Sequence, residues 1–373
     1  MACTRRALKT TSLAVAGVAM TVAALGATTP PAAAADHRGP SPAPGYSVRV
    51  FPAVGTESLP DDVTRLGRSI YVTFQNGVGP SGQAAPSGMA SSTVQQYSLD
   101  GIPGKSWQVP GRVDGLTADP AADRLLLTSN EDGNSTFSTL TPGASEPLRT
   151  YRYTGVTHGG GTDAISVVRG QIVVSASNPA DSTRPAVYSV HLQAGTANLV
   201  PVFWDNTVVT AANGPLAGHS APLALTDPDS NTVVPSASPR FAGDLMLDSQ
   251  GDQQLIFAHS GGTGRQSLQV LSVPQPVDDT AFATPSTTTL WVTDPTHDVV
   301  DAVTGPFPAG QVISTVTPNA GVTYLAALNL TDGSLTPIKA LALIEPKGLT
   351  FTGTIDLAAQ DGQHDNHSAT GNN

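Results

Sequence analysis

The chain has 373 residues, among them 37 Gly and 31 Pro, and its formal charge is −11 with 13% charged residues. This length suits one large all-β domain or two ordinary domains, and the Gly and Pro content stays below the level that indicates disorder. An acidic chain with four lysines has no basic stripe for phosphates, which argues against nucleic acid as a partner and for a cationic small molecule or a metal ion.

The N-terminus has the pattern of an export signal. Arg5, Arg6 and Lys9 precede a weakly apolar run over 13–27, and small residues follow up to Ala35. We expect secretion with cleavage near Ala35, because the run is shorter than the about 20 residues that span a bilayer. The paired arginines resemble a twin-arginine signal, with an ordinary Sec signal as the alternative. Cleavage would also remove Cys3, the sole cysteine.

The mature chain divides into three parts. Residues 36–45 predict a short Pro-rich extended spacer, and residues 358–373 predict a disordered polar tail. Between them, residues 46–357 show short β-rich runs separated by tight turns and Gly/Pro/Ser loops, with almost no helical periodicity. The sequence therefore predicts a single all-β domain.

Four-stranded meanders recur along this domain. The first has predicted strands at 63–66, 70–74, 94–99 and 107–109. The second has them at 114–119, 125–128, 136–140 and 148–153, and the third at 163–165, 172–176, 187–192 and 199–203. We predict that further inner strands begin at Asp244 and Asp279, the latter followed by 290–293 and 299–303.

The repeat spacing favours a β-propeller, in which each small sheet buries its faces against its neighbours. The predicted inner strands start at Asp62, Asp114 and Asp163, which lie about 50 residues apart. Six blades fit the countable units, and the additional run 223–234 leaves seven open. The alternative fold is a β-sandwich or two tandem sandwiches.

The last blade is expected to draw on both ends of the domain. The runs 324–330, 335–338 and 347–351 resemble its strands, and the run 46–51 is available as the missing one. Such closure would join the two ends of the ring and remove open sheet edges.

Three segments resemble the blade element of the NHL and SMP-30/gluconolactonase propellers. The best match is Gly115-Leu116-Thr117-Ala118-Asp119-Pro120, and Pro60-Asp61-Asp62-Val63 and Pro346-Lys347-Gly348-Leu349 are looser ones. The resemblance implies a propeller over most of residues 46–357. In gluconolactonase-like members, Glu, Asn and Asp side chains hold a divalent ion that polarises a lactone carbonyl, and Asp114 matches the Asp-Gly element of that pattern.

The recurrent acids predict a site at one mouth of the channel. Carboxylates that share a concave site repel one another, and a hard divalent cation such as Ca²⁺ relieves that repulsion. The ion could act as a Lewis acid beside a carboxylate base. The alternative is that each Asp caps a turn. The predicted metal ligands at strand starts are Asp62, Asp114, Asp163, Asp244 and Asp279.

A second metal candidate is the run of Asp227, Asp229 and Asn231, which has the alternating oxygen spacing of a calcium loop. The complete EF-hand pattern fails, because Thr232 replaces the required Gly and Ser238 the bidentate Glu. An Asp-Pro turn is the alternative reading.

His158 lies beside the Gly-rich loop that enters the third meander, so it could serve as an acid/base partner of Asp163. A loop histidine with satisfied hydrogen bonds is the alternative, and His259 invites the same hypothesis. The predicted catalytic residues are thus Asp114, His158 and Asp163. No nucleotide cofactor is expected, because the G-x-G-x-x-G match at 77–82 lacks a following helix.

Two functions remain open. In the first, a monomeric extracellular protein uses polar loops such as 76–92 and 178–185 to bind a small molecule, glycan or protein. In the second, a metal-dependent hydrolase or lyase of the lactonase type uses the acids and His158. We favour binding, because the lactonase ligand set is incomplete.

Overall fold

The computed structural model describes residues 45–178, 184–260 and 266–353. Strands dominate these ranges, with two short 3-10 turns at Pro120–Ala122 and Lys339–Leu341. This confirms the all-β class. In the same ranges, no helix has the length and apolar character needed to cross a bilayer. The predicted signal peptide, the spacer up to residue 44 and the tail from residue 358 lie outside the described residues.

After strand β1 (Ser47–Pro52), the chain forms three consecutive four-stranded antiparallel meanders, which we call blades 1 to 3. Blade 1 contains β2 (Pro60–Leu66), β3 (Ser69–Phe74), β4 (Ser91–Ser98) and β5 (Pro103–Pro110). Blade 2 contains β6 (Val113–Asp119), β7 (Arg124–Ser129), β8 (Thr136–Leu140) and β9 (Leu148–Thr154). Blade 3 contains β10 (Gly159–Val168), β11 (Gln171–Asn178), β12 (Pro185–Gln193) and β13 (Thr196–Trp204). All three predicted meanders are confirmed.

Blade 4 corrects one predicted strand start. Its inner strand is β16 (Pro228–Val233), followed by β17 (Leu245–Ser249), β18 (Gln254–Ser260) and β19 (Gln266–Ser272). The outer edge is extended by β14 (Val208–Ala211), which runs parallel to β19, and by β15 (Ser220–Pro222). Asp244 therefore precedes a second strand rather than an inner one, because the run 223–234 supplies the inner strand.

The last two blades exchange chain segments. The remaining strands are β20 (Val277–Phe282), β21 (Thr287–Asp294), β22 (Val299–Thr304), β23 (Val312–Val316), β24 (Tyr324–Leu328), β25 (Leu335–Pro337) and β26 (Leu349–Gly353). Blade 5 has the order β20-β23-β24-β25, and blade 6 has the order β26-β21-β22-β1. The hairpin β21–β22 thus interrupts blade 5 in sequence but belongs to blade 6. The sequence assigned that hairpin to the Asp279 unit and β24 and β25 to the last blade, and both assignments are wrong.

The predicted closure by the N-terminal strand is present. Strand β1 pairs antiparallel with β22, from Ser47 opposite Thr304 to Pro52 opposite Val299. Because β26 supplies the inner strand of the same sheet, blade 6 joins the two ends of the described chain. The ring thereby has no gap between its first and last blades.

The inner strands β2, β6, β10, β16, β20 and β26 contact one another in that order, and β26 contacts β2. They therefore surround a central channel, which is the arrangement of a β-propeller. The described residues contain six buried hydrophobic clusters, one between each pair of adjacent blades. A four-stranded sheet cannot bury both faces alone, so packing on its two neighbours holds each blade in place.

The contact of β1 with blade 6 yields a stability prediction. Phe51 is 4% exposed, and its ring centroid lies 5.2 Å from that of Trp291. We expect Phe51→Ala to lower the free energy of unfolding by about 3–5 kcal/mol, measured by urea denaturation, because the truncation leaves a cavity at the closing strand. Val50→Ala is the matched control, since Val50 is 50% exposed and its truncation should cost less than about 0.5 kcal/mol. Equal losses for the two variants would contradict the closing role.

Candidate functional site

Each of the six blades brings one ionisable residue, in its inner strand or just before it, to the same end of the channel. In five of them this residue lies at a β-bulge near the strand start, where an additional residue re-aims the side chain. We call this set the ring; its members, in blade order, are Asp61, Asp114, Asp163, Asp229, Asp278 and Lys347. Five carboxyl groups and one ammonium group therefore occupy equivalent positions.

The ring lines a cavity of about 30 Å³. This volume accommodates a water molecule or a small ion. Besides the ring, its lining includes Asp62, Asp279, Arg112 and Glu131, so that eight acidic side chains face two basic ones. We refer to this cavity as the channel mouth.

A larger cavity of about 260 Å³ adjoins the mouth along the channel. The two cavities share Asp62, Ala164, Ser230 and Asp279 in their linings. The larger one is otherwise lined by residues further along the inner strands, chiefly Thr, Ser, Asn and apolar side chains. A ligand could therefore place a charged group in the mouth and a neutral body in this second cavity.

Lys347 holds the ring position of blade 6. Its Nζ lies 3.3 Å from both carboxylate oxygens of Asp278 and 3.5 Å from Oδ1 of Asp61, which are its neighbours on either side in the ring. Burial by itself would lower the pKa of Lys347, but Asp278 and Asp61 outweigh it and hold that pKa well above the ordinary lysine value. The ammonium group is therefore charged and bridges two blades.

Arg112 neutralises the next part of the mouth. Its Nε lies 2.9 Å from Oδ1 of Asp114, and its Nη1 donates to Oε1 of Glu131 at 2.9 Å. Although burial opposes the charge on Arg112, the two acids raise its pKa. The guanidinium group thus remains charged and holds Asp114 in place.

The ring residues of blades 3 and 4, Asp163 and Asp229, form no such ion pair with a basic residue in the described part of the chain. Asp163 and Asp229 hold consecutive positions in the ring, and both line the mouth. Burial, reinforced by the nearby Asp229, raises the pKa of Asp163 well above its usual range. This pair lies across the ring from Lys347.

Two further acids tie neighbouring blades together. Oδ2 of Asp62 accepts a hydrogen bond from the Leu116 amide at 2.7 Å, and Oδ2 of Asp279 accepts one from the Leu349 amide at 2.6 Å. Burial raises the pKa of Asp279 to about 6, although hydrogen bonds from the Leu349 and Thr280 amides oppose the shift. Burial likewise raises the pKa of Asp61 to about 6, although the positive charge of Lys347 acts to lower it.

Behind the ring lies a belt of side chains from the second strand of each blade. Five blades place a hydroxyl there; they are Thr73, Thr128, Ser175, Thr315 and Thr293. Several of these hydroxyls donate to a ring carbonyl of the following blade, as Ser175 does to Asp229 at 2.8 Å and Thr315 to Lys347 at 2.7 Å. Blade 4 has Asp248 instead. This carboxyl group is fully buried, and neither oxygen has a hydrogen-bond partner.

The structure brings most of the predicted metal candidates together. Asp62, Asp114, Asp163 and Asp279 line the mouth. Asp244 does not, since it directly precedes β17, where its Oδ1 accepts a hydrogen bond from Nδ1 of His259 at 2.6 Å. These four acids therefore remain candidates by position, and Asp244 does not belong to the mouth.

The second candidate group is divided by the fold. Asp229 lines the mouth and Asn231 the larger cavity. Asp227 instead accepts a hydrogen bond from the Gly251 amide at 3.0 Å, as expected of a turn residue. Over residues 45–178, 184–260 and 266–353, no three His, Cys, Asp or Glu side chains are grouped so that they could hold a metal ion.

His158 is engaged in another part of the molecule. Its Nε2 donates to the carbonyl of Gly161, so its Nδ1 accepts from the Tyr188 hydroxyl at 2.8 Å. Burial lowers the pKa of His158, which favours this neutral form. Since His158 lines neither cavity, the structure gives it the role of a satisfied loop histidine.

The sequence did not single out Lys347, Arg112, Glu131 or Asp278 as site residues. A signal for Lys347 was present, because Lys347-Gly348-Leu349 aligns with Asp114-Gly115-Leu116. In both segments the glycine lies so close to a ring carbonyl of the next blade that a Cβ would clash with it. Arg112 and Glu131 gave no such signal, because only the packing of blade 2 brings them to the mouth.

No family model and no curated protein matches the chain. Among solved structures, streptogramin B lyase is 12% identical, with 82% of this chain and 91% of that chain covered and a TM-score of 0.46. The periplasmic gluconolactonase of Pseudomonas aeruginosa is 13% identical, with coverages of 83% and 99% and a TM-score of 0.43. The β-propeller domain of Cps50 from Myceliophteria thermophila is 10% identical, with coverages of 77% and 87% and a TM-score of 0.43.

These solved structures are similar to the chain only at low sequence identity. At such identities they do not indicate an activity for this chain. The fold and the mouth together define a β-propeller with an acidic channel entrance.

The buried Asp248 yields a second stability prediction. Burial, together with Asp229 and Asp278, raises the pKa of Asp248 well above that of an unfolded Asp, which ionises near pH 4. The folded state therefore binds the proton more tightly, and this carboxyl group destabilises the protein increasingly as pH rises above about 4. We expect Asp248→Thr, which supplies the missing hydroxyl, to raise the melting temperature at pH 8 and to raise it less at pH 5.

The expected gain at pH 8 is about 1–3 kcal/mol, the cost of a buried polar group without a partner. Asp100→Asn is the control, because it removes an equal charge from an exposed turn and should leave both melting temperatures unchanged. A lower melting temperature of Asp248→Thr at pH 8 would show that the carboxyl group stabilises the fold.

Proposed function

We propose that this protein is an exported ligand-binding β-propeller whose channel mouth receives a cationic group. The observation that carries the proposal is the excess of eight acidic over two basic side chains around a cavity of about 30 Å³. Confined carboxylates repel one another, and an entering cation lowers that repulsion. The basic N-terminal segment with its small residues near Ala35 supports export.

The unused acceptors of the mouth support a cation as the ligand. Oδ1 of Asp61 is buried and has no hydrogen-bond partner, its ion pair with Lys347 being 3.5 Å long. Asp163 and Asp229 form no ion pair among the described residues, and burial raises the pKa values of both. A cation that reaches these two acids would favour their charged forms.

An ammonium group suits the mouth better than a metal ion. Lys347 already forms separate ion pairs there at 3.3 and 3.5 Å. A Ca²⁺ ion instead requires six to eight oxygen ligands at once, and the described acids are not grouped for that. The proposed ligand is therefore a small organic amine with its body in the 260 Å³ cavity, and Ca²⁺ or another divalent cation is the second choice.

Loops on the same face could add contacts to such a ligand. The loop after β3 leaves blade 1 at the bulged end of its inner strand. It touches the corresponding loop of blade 2, where Nδ2 of Asn134 donates to the Ser81 carbonyl at 3.3 Å and the Asp132 amide to the Pro80 carbonyl at 3.1 Å. Polar loops held against each other in this way form a preorganised rim.

The test is a titration of the purified protein with small primary amines and diamines, and separately with Ca²⁺ after EDTA treatment. We expect amine binding in calorimetry and a rise in melting temperature, since a ligand that binds the folded state stabilises it. Asp229→Asn should weaken amine binding by about tenfold or more, as expected for a buried charged contact. Asp100→Asn is the matched control and should bind as the unmodified protein does.

Absence of binding for every amine and for Ca²⁺ would contradict the proposal. Equal weakening by Asp229→Asn and Asp100→Asn would place the binding site outside the mouth.

One observation favours a second candidate, a lactonase-type hydrolysis. Burial raises the pKa values of Asp61 and Asp279 to about 6, close to the value that suits a general base near neutral pH. In this proposal Asp62, Asp114, Asp163 and Asp279 act as metal ligands or base, and His158 has no part.

The second candidate is tested by measuring hydrolysis of a lactone panel with Ca²⁺ or with EDTA. Metal-dependent turnover that Asp279→Asn abolishes with the melting temperature unchanged would support it. Turnover that is equal with and without metal, or that survives Asp279→Asn, would contradict it.

A further inference from the structure

Lys347 stands where the other five blades have an acid. The Leu349 amide, two residues later, donates to Asp279, just as the Leu116 amide donates to Asp62 in blade 2. Gly348 and Gly115 likewise make the same close approach to the next blade. Lys347 is therefore the structural equivalent of Asp114, and one of six positions in an acidic ring carries the opposite charge.

The ammonium group of Lys347 behaves as a cation bound within the ring. It lies between the carboxylates of its two ring neighbours, Asp278 and Asp61, and its side chain is 34% exposed. It is the only contact of the buried Oδ1 of Asp61 among the described hydrogen bonds and ion pairs. Three consecutive ring positions are thus occupied by one tethered cation and its two counter-ions.

Only one part of the ring remains open to an outside cation. Arg112 forms ion pairs with Asp114 and Glu131, and Asp163 and Asp229 are the ring acids of the mouth that form no ion pair among the described residues. An outside ion in this small mouth would lie near the Lys347 ammonium. Since Coulomb repulsion scales with the product of the charges, a divalent ion is repelled twice as strongly as a monovalent one.

We propose that Lys347 is a specificity-determining residue, a tethered cation that excludes divalent metal ions from the mouth and leaves room for one monovalent ammonium group. This inference rests on the proposed function of the mouth as a cation site. Lys347 also keeps blades 5, 6 and 1 together, so its variants must be tested for folding as well as for binding.

The experiment compares the unmodified protein with Lys347→Met and Lys347→Arg. Ca²⁺ and ethylamine are titrated separately by calorimetry after EDTA treatment, and thermal melts are recorded with each. We expect Lys347→Met, which keeps the length and packing of the side chain but removes its charge, to bind Ca²⁺ at least about tenfold more tightly than the unmodified protein. Lys347→Arg restores the charge and should bind Ca²⁺ as weakly as the unmodified protein.

If Lys347→Met does not fold without Ca²⁺, Lys347→Gln is used, because its neutral amide can still donate a hydrogen bond to Asp278 without carrying the charge. Tighter Ca²⁺ binding by either variant supports the inference. Ca²⁺ binding no tighter than in the unmodified protein overturns it, even where ethylamine binding upholds the proposed function. A protein that binds no cation until Lys347 is replaced contradicts the proposed function and also overturns the inference, because Lys347 would then exclude monovalent ammonium groups as well as Ca²⁺.

Discussion

The structure depends on hydrogen bonds that pass from one blade to the inner strand of the next. The hydroxyl of Thr128 donates to the carbonyl of Asp163, and that of Thr293 to the carbonyl of Asp61. Each of these bonds fixes a ring residue by its main chain and leaves its side chain free to face the channel. A buried carbonyl needs such a partner, so the belt of hydroxyls both closes the ring and determines where the acids converge. The mouth is thus a consequence of how adjacent blades are joined.

The exchange of segments between blades 5 and 6 makes the closure cooperative. Blade 6 is built from three separate parts of the chain, namely β1, the β21–β22 hairpin and β26. Blade 6 cannot form until strands from both ends of the domain pair with the β21–β22 hairpin. Blade 5 is complete only when β23, β24 and β25, which follow that hairpin in sequence, pair next to β20. Contacts between residues so distant in sequence are costly in entropy until they form together. The same exchange brings Lys347 next to Asp61, almost 300 residues earlier in the chain.

The mouth concentrates acids at a cost in stability. Burial raises the pKa values of Asp61, Asp62, Asp163 and Asp279, which means that the folded state does not favour their charged forms. A domain built for stability alone would place hydroxyls or apolar groups at these positions, as most of the belt does. Retaining several destabilising carboxyls at one concave site is typical of a functional site. Lys347 and Arg112 limit the repulsion, and their positions decide which acids remain available.

The sequence by itself determined the features that depend on neighbouring residues. Hairpin signals such as Gly67-Arg68 and Pro120–Asp123 lie between strands that pair with each other, so blades 1 to 3 could be predicted strand by strand, together with Asp62, Asp114 and Asp163. Only the tertiary structure decided pairings between distant segments. It showed that the inner strand of blade 4 does not start at Asp244 and that the β21–β22 hairpin belongs to blade 6. It also showed that His158 forms a hydrogen bond with Tyr188. It also revealed Lys347 as a ring member, because strand partners over such separations are selected by packing and closure, which no local pattern encodes.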